Sequence, residues 1–312
     1  MERRAEPSQV HTRRERGSVD ISGERVQYEI LIVDARTAGE RAQGDLPPGN
    51  VIVVVPGHGQ TVTGPRRLVA EFAMRSRAKI AWCIDPTPTR GGDCTEARAI
   101  AEIVHDRLLG FKGTSARSSH RATIVGWSHG GGEALRAARE DPILFPQYLG
   151  LCPVGLVERK PPEMIASFLL EATRVVAGDL LHLRLANVSE TLRVGANFAG
   201  GLVTDLVRSR SLRNLIDDVR WACRKVPGPD FDYPGEVVLL LGIHDSVIRW
   251  RDPFPGCQAP NQLSAMVPAF QEANFPAGRR VEVCLVDGNH ITPEIEPGLF
   301  VHPGLAFLDQ LA

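Results

Sequence analysis

The stretch Gly126-Trp127-Ser128-His129-Gly130 decides the fold predicted for this chain. It follows a short apolar run at 122–125 and precedes residues 133–139, whose apolar spacing predicts a helix. A serine between a strand and a helix, with glycines two positions before and after it, is typical of a nucleophile elbow. Small residues are needed there because the turn brings the backbone close to itself. The hydroxyl of Ser128 is therefore predicted to lie at the end of a sheet, beside the N-terminus of the next helix.

The segments around the elbow alternate between strand and helix. Residues 51–55 are an unbroken β-branched run, which indicates a strand buried on both faces of a parallel sheet. The other predicted strands are 25–34, in an early hairpin, 78–84 and 148–152, and the predicted helices are 65–76 and 95–109. This alternation predicts an α/β fold: a mostly parallel, doubly wound sheet with helices on both faces.

The pattern changes near residue 154. Strand character returns only at 237–241 and 280–286, and residues 303–311 predict a closing helix. Between the two halves the apolar spacing predicts helices at 163–176, 180–185, 190–198, 202–208 and 212–224. We therefore predict a core formed by 18–153 and 227–312, with a helical cap at 154–226 inserted between core strands. Residues 1–17 are rich in arginine with no apolar segment after them, so we predict a disordered tail there.

Composition excludes several classes of protein. The chain has 312 residues, of which 43% are apolar, as expected for a globular protein with a substantial core. The net charge of −1 argues against a nucleic-acid partner. The six cysteines show no zinc-site spacing and indicate reduced thiols in a cytoplasmic protein. No apolar stretch is long enough for membrane insertion. Neither a metal nor an organic cofactor is predicted.

Two loops far from the elbow supply partners for the serine. A serine hydroxyl becomes a good nucleophile when a histidine takes its proton and an acid orients that histidine. Asp245 follows the predicted strand 237–241, and His290 follows the predicted strand 280–286. Ligands of open α/β sheets bind at the carboxyl ends of the strands. We therefore expect Ser128, Asp245 and His290 to meet at that edge.

Each of these two partners has rivals. Asp205 and Asp252 are alternative acids, although neither closes a clear strand. His244 and His302 are alternative bases, and His302 lies close to the predicted terminal helix. Asp252 is only seven residues from Asp245, so the sequence leaves the choice between them to geometry.

Backbone N–H groups are expected to stabilise the negative charge that develops during acyl transfer. One donor is the N–H of His129, directly after the serine. The second should come from the loop after residues 51–55, where Gly57 and Gly59 allow a close approach to the substrate. We favour the N–H of His58, with Gln60 as the alternative. The loop matches neither common glycine-rich phosphate-binding pattern.

Together these motifs resemble the α/β-hydrolase superfamily, in its serine branch with a helical lid. Beside the elbow, Pro56-Gly57-His58-Gly59 is similar to the oxyanion segment, with proline in place of the usual first histidine. The sequence Gly242-x-x-Asp245 resembles the acid loop, and Gly288-Asn289-His290 resembles the histidine loop. The resemblance covers about 25–312 and implies a Ser128–His290–Asp245 triad with a lid at 154–226. A serine nucleophile argues against the dehalogenase and epoxide hydrolase relatives, which use aspartate.

The expected activity is hydrolysis of a carboxylic ester, with a small-molecule acyl substrate that has an apolar part. Thioester hydrolysis or acyl transfer, and C–C bond hydrolysis or lyase chemistry, remain alternatives for the same side chains. A binding protein that keeps the fold without turnover is the third possibility. The sequence leaves the oligomeric state open. The lid offers apolar side chains to a pocket, although most must pack on the core: Met164, Phe168, Leu169, Leu170, Val175, Val176 and Phe198.

Overall fold

A computed structural model describes most of the predicted core and part of the predicted cap. The described residues are 10–45, 49–57, 60–87, 93–111, 121–155, 160–181, 188–189, 191–193, 195–196, 200, 233–248, 267–268, 271–272 and 281–309. Among these residues, no helix is both long enough and apolar enough to span a membrane.

One eight-stranded sheet organises the described residues, in the order β1-β2-β4-β3-β5-β6-β7-β8. The strand β1 is antiparallel to β2, which is antiparallel to β4, and all other neighbouring pairs are parallel. The predicted mostly parallel sheet is confirmed. The bounds are β1 His11–Ile21, β2 Glu24–Asp34, β3 Val51–Val55, β4 Ile80–Thr87, β5 Ala122–Trp127, β6 Gln147–Leu151, β7 Glu236–Gly242 and β8 Val281–Val286.

Helices pack against this sheet in two groups. The helix α3 contacts α4, whereas α2 contacts α6 and α7. The strand β3 is buried along its whole length, as its unbroken β-branched run predicted, and so is β5. The helices are α1 Ala38–Gln43, α2 Arg66–Arg75, α3 Asp93–Leu109, α4 His129–Glu140, α5 Pro161–Leu181, α6 Thr292–Ile295 and α7 Gly298–Phe307.

The closing helix begins earlier than predicted. It starts at Gly298 instead of residue 303, so Pro303 lies inside it. Phe300, Val301 and Leu305 are buried at helical spacing and attach α7 to the core. This packing extends the helix across a proline that would otherwise be read as its first residue.

The prediction of a disordered tail over 1–17 is wrong for residues 11–17. These residues form the first part of β1, which pairs with β2 along its full length. Their charges are paired: Arg14 and Arg16 both contact Glu29, and Arg107 of α3 contacts Glu15. A strand at the edge of a sheet can carry charged side chains and needs no regular alternation of apolar and polar residues. For this reason the arginine-rich sequence did not predict a strand here. Residues 1–9 lie outside the described part.

The predicted cap is described mainly through α5, which includes the predicted helix 163–176. Three α5 side chains, Met164, Phe168 and Val175, pack against the core. The predicted helix 190–198 is described at 191–193 and 195–196, which are helical, and the predicted helix 180–185 is described only at its first two residues, which belong to α5. The predicted helices 202–208 and 212–224 lie outside the described residues. The cap bounds of 154 and 226 therefore stay a prediction.

Candidate active site

The serine at the elbow has a strained backbone. Ser128 lies between β5 and α4 with φ 55° and ψ −124°, a conformation that L-residues rarely adopt. A Cβ on Gly126 would collide with the backbone of the next turn, and one on Gly130 would collide with the carbonyl oxygens of Val55 and Pro56. The glycine spacing recognised in the sequence is therefore a steric requirement of the turn.

Replacing Gly130 by alanine should destabilise the protein. The new methyl group would meet backbone atoms of the β3 loop, which cannot rotate away as a side chain can. We expect the free energy of unfolding to fall by about 1–3 kcal/mol in chemical denaturation. The matched control is Gly178→Ala in α5, where no atom lies within 4 Å of the added Cβ. That variant should be stabilised by about 0.5–1 kcal/mol, and equal losses in both variants would contradict the steric explanation.

The structure brings together the three side chains predicted to form the site. The His290 Nε2 atom lies 2.8 Å from Ser128 Oγ, and its Nδ1 atom lies 3.0 Å from Asp245 Oδ2. Both His290 and Asp245 are buried. The other carboxylate oxygen of Asp245, Oδ1, accepts hydrogen bonds from the backbone N–H groups of Val247 and Ile248, each at 2.8 Å. One oxygen of Asp245 is thus held by its own loop, and the other faces the imidazole.

Charges around the imidazole favour its protonated form. Burial lowers the pKa of His290, but the nearby carboxylates of Asp245 and Glu171 outweigh it, so that the pKa lies above the usual histidine value. Such a histidine is a stronger base towards the serine hydroxyl.

The predicted oxyanion donors are described only in part. His129 is the first residue of α4, so its N–H belongs to the helix N-terminus beside Ser128. A Cβ on Gly57 would lie 3.5 Å from Ser128 Cβ, so the loop after β3 reaches the elbow. The N–H of Gln60 donates to the Gly57 carbonyl at 3.1 Å, which disfavours Gln60 as a donor to substrate. His58 lies outside the described residues, and its role stays a prediction.

The structure does not bring the rival residues into the site where it describes them. His244 is exposed and its Nε2 atom lies 3.1 Å from Asp287 Oδ1. His302 is exposed on α7. Asp205 and Asp252 lie outside the described residues.

Sequence reasoning assigned no role to Trp127, which holds the histidine loop. Its indole N–H donates a hydrogen bond to the His290 carbonyl at 2.9 Å, and both residues are buried. The Phe168 ring of α5 meets the imidazole edge-on, with 6.3 Å between ring centroids. The histidine is therefore enclosed by aromatic side chains from the elbow and from α5.

Removing the indole donor should loosen the histidine. Trp127→Phe leaves the buried His290 carbonyl without this hydrogen bond, which costs about 1–3 kcal/mol of stability. We also expect slower reaction of Ser128 with a serine-directed reagent. Trp82→Phe is the control, because Trp82 is buried on β4, away from the elbow. If both variants lost stability but neither changed the reactivity of Ser128, the indole would only be a packing element.

Sequence reasoning also missed Glu171, a buried carboxylate on α5. It accepts hydrogen bonds from the backbone N–H of His290 and from Ser246 in the acid loop. A usable signal was present: Glu171 follows Phe168 by three positions and precedes Val175 by four, so a charge lies on the apolar face of a predicted helix.

In the part of the chain that the structure describes, two groups of side chains offer ligand atoms close enough for a metal ion. Within the site, Cys152, Asp245 and His290 have such atoms within 4.8 Å of one another. Burial, followed by the Asp245 charge, raises the pKa of the Cys152 thiol, which disfavours the thiolate that binds metals. The second group, Glu102, His105 and Asp106, lies on α3 away from the elbow.

Solved structures of other proteins identify the fold of this chain. No protein-family model and no curated protein matches this chain. It is similar to the solved structure of 2-hydroxy-6-oxo-6-phenylhexa-2,4-dienoate hydrolase from Rhodococcus sp. strain RHA1, with 13% identity over 96% of this chain and 100% of that one, and a TM-score of 0.58. A thermophilic esterase matches at 13% identity over 95% and 98% of the two chains, with a TM-score of 0.52.

A third structure, the peroxisomal α/β-hydrolase Lpx1 from Saccharomyces cerevisiae, matches at 13% identity over 96% of this chain and 89% of that one, with a TM-score of 0.51. At such identities the likeness concerns the fold. The protein has the α/β-hydrolase fold.

Proposed function

We propose that this protein is a serine hydrolase that cleaves a carboxylic ester through an acyl-enzyme. The observation that carries the proposal is the continuous chain from Ser128 Oγ to His290 Nε2, 2.8 Å, and from His290 Nδ1 to Asp245, 3.0 Å. These distances lie within hydrogen-bond reach for proton transfer. These three side chains lie at the carboxyl ends of β5, β7 and β8, where open α/β sheets bind their ligands.

The mechanism follows from the geometry. Ser128 Oγ attacks the carbonyl carbon of the ester while His290 Nε2 takes the hydroxyl proton, and Asp245 stabilises the imidazolium that forms. The oxyanion accepts hydrogen bonds from the backbone N–H groups of His129 and His58. The intermediate collapses, and the leaving alcohol takes the proton from His290. Water, deprotonated by His290, then attacks the acyl-enzyme, and the acid is released as Ser128 recovers its proton. No step requires a metal or cofactor.

An apolar acyl or alcohol group suits the surroundings of the reacting atoms. Phe168 meets the His290 ring, and Met164 and Val175 lie on the same helix, packed against the core. Burying an apolar group of the substrate against the Phe168 ring contributes about 25 cal/mol per Å². The esterase among the structural neighbours supports an ester as the substrate.

A second candidate is C–C bond hydrolysis by the same three side chains. The observation in its favour is the likeness to the Rhodococcus enzyme, whose name gives a dienoate as its substrate. Ester hydrolysis and C–C bond hydrolysis would both use Ser128 as the nucleophile. The substrate that is turned over therefore distinguishes them, and the site does not.

The test combines a serine-directed probe with a substrate panel. Native protein should react with a fluorophosphonate, and mass spectrometry should locate the adduct on Ser128, whereas heat-denatured protein should not react. p-Nitrophenyl esters from acetyl to dodecanoyl should be turned over, with an optimum that measures the pocket. Turnover of a phenyl-substituted dienoate without ester turnover would favour the second candidate. Folded native protein that neither reacts with the probe nor turns over any substrate would overturn the proposal.

A further inference from the structure

Glu171 is a buried carboxylate that the proposed mechanism does not use. Only 4% of its surface is exposed. Its Oε2 atom accepts hydrogen bonds from the backbone N–H of Ser246 at 2.7 Å and from the Ser246 hydroxyl at 2.8 Å. Its Oε1 atom accepts a hydrogen bond from the backbone N–H of His290. One carboxylate on α5 thus joins the loop that carries Asp245 to the loop that carries His290.

These bonds fix the main chain on both sides of the imidazole. The N–H of His290 is held by Glu171, and its carbonyl is held by the indole of Trp127. With both peptide groups fixed, the ring can move only about its own side-chain torsions. In the acid loop, Ser246 lies between Asp245 and Val247, whose N–H holds Asp245. Glu171 therefore anchors the backbone next to the acid and at the base.

We propose that Glu171 is a positioning residue: it holds the acid loop and the histidine loop in the spacing at which His290 reaches both Asp245 and Ser128. The effect of this positioning on catalysis rests on the proposed function. Three donors converge on this carboxylate, two backbone N–H groups and one hydroxyl, and each would lose a buried acceptor if Glu171 were absent. A purely apolar helix face could pack here but could not satisfy them.

The charge of Glu171 has a second effect on the base. The groups that face His290 are Asp245, Glu171, Cys152 and Ser128. Asp245 and Glu171 both favour the imidazolium and raise the pKa of His290. Burial and the Asp245 charge raise the pKa of Glu171 itself, against the opposing effect of His290 and Ser246.

Loss of the Glu171 charge should shift the pKa of His290 in one direction. It lowers the pKa of His290, so the neutral imidazole persists to lower pH. The acidic limb of the pH profile for Ser128 reactivity should then move to lower pH.

The experiment compares Glu171→Gln with Glu163→Gln, the same change on the same helix at an exposed glutamate beside Lys160. In the Glu171→Gln variant one amide N–H must face a backbone donor, so the hydrogen-bonding arrangement is broken while size is kept. We expect fluorophosphonate labelling of Ser128 to slow by about tenfold or more in Glu171→Gln, because small displacements of reacting groups have large effects. Histidine-selective NMR should show the imidazole of His290 titrating at lower pH. Glu163→Gln should match the native protein in both measurements.

Glu171→Asp keeps the charge but is a methylene too short to accept from both loops. Its labelling should also slow, by roughly threefold or more, while its His290 titration moves less than in Glu171→Gln. This variant decides the matter if Glu171→Gln does not fold: a native labelling rate in Glu171→Asp would overturn the inference. So would native labelling and native titration in a folded Glu171→Gln. If native protein is inert to the probe but the His290 titration shifts in both Glu171→Gln and Glu171→Asp and not in Glu163→Gln, the proposed function fails and the positioning of His290 by Glu171 stands.

Discussion

Ser128→Ala is expected to abolish fluorophosphonate labelling and to lower kcat for ester hydrolysis by about 10⁵- to 10⁶-fold. The reason is that the Ser128 hydroxyl is the nucleophilic oxygen within reach of His290 among the described residues. Fold and stability should change little, since alanine is smaller than serine and the strained backbone at this position is imposed by the turn. Binding and the oxyanion donors would account for the residual rate.

The control for this variant is Ser18→Ala on β1, where the serine accepts a hydrogen bond from Arg25 on the neighbouring strand. It should keep native labelling and native kcat. If Ser128→Ala retained more than about one hundredth of native kcat, the oxyanion donors and binding alone could not explain the rate, and another nucleophile would be operating.

Asp245→Asn is expected to lower kcat by about 10⁴-fold while leaving the fold intact. The backbone N–H groups of Val247 and Ile248 both point at one oxygen of Asp245, so in the variant they should hold the amide oxygen. The amide NH₂ must then face His290 Nδ1, which is forced to accept instead of donate. The imidazole would carry its proton on Nε2, facing Ser128, and could not take the serine proton.

Asp287→Asn is the matched control for this change. Asp287 is highly exposed and contacts His244, outside the site. Its kcat should stay within about twofold of native, as for surface substitutions in general. A similar kcat in both variants would contradict the assignment of Asp245 as the acid.

The sheet was predictable because its central strands carry their own signal. Residues 51–55 are an unbroken apolar run and residues 122–125 a short, mainly apolar run, and they lie in β3 and β5, which are buried along their whole length. Ser128, Asp245 and His290 could be predicted for a related reason: each lies within four residues of the end of a strand, and parallel strands bring their carboxyl ends to one edge. In these places local pattern and tertiary position agree.

Other features depend on partners that are distant in the sequence. The charged residues near the N-terminus have no strand signature until Glu29 is placed beside Arg14 and Arg16, and Arg107 is placed beside Glu15. Trp127 and Glu171 acquire their roles from His290, which lies 163 and 119 positions away. No local window contains both ends of such contacts, so only the assembled sheet reveals them.

The large separation of these contacting residues in the sequence affects the order in which structure and reactivity form during folding. The hydrogen bond between Ser128 and His290 closes a loop of 162 positions, and the loop must be closed against its entropy. Helices and neighbouring strands form from much nearer contacts. The reactive serine therefore reports on the completed chain: during refolding, backbone signals should return before Ser128 becomes reactive.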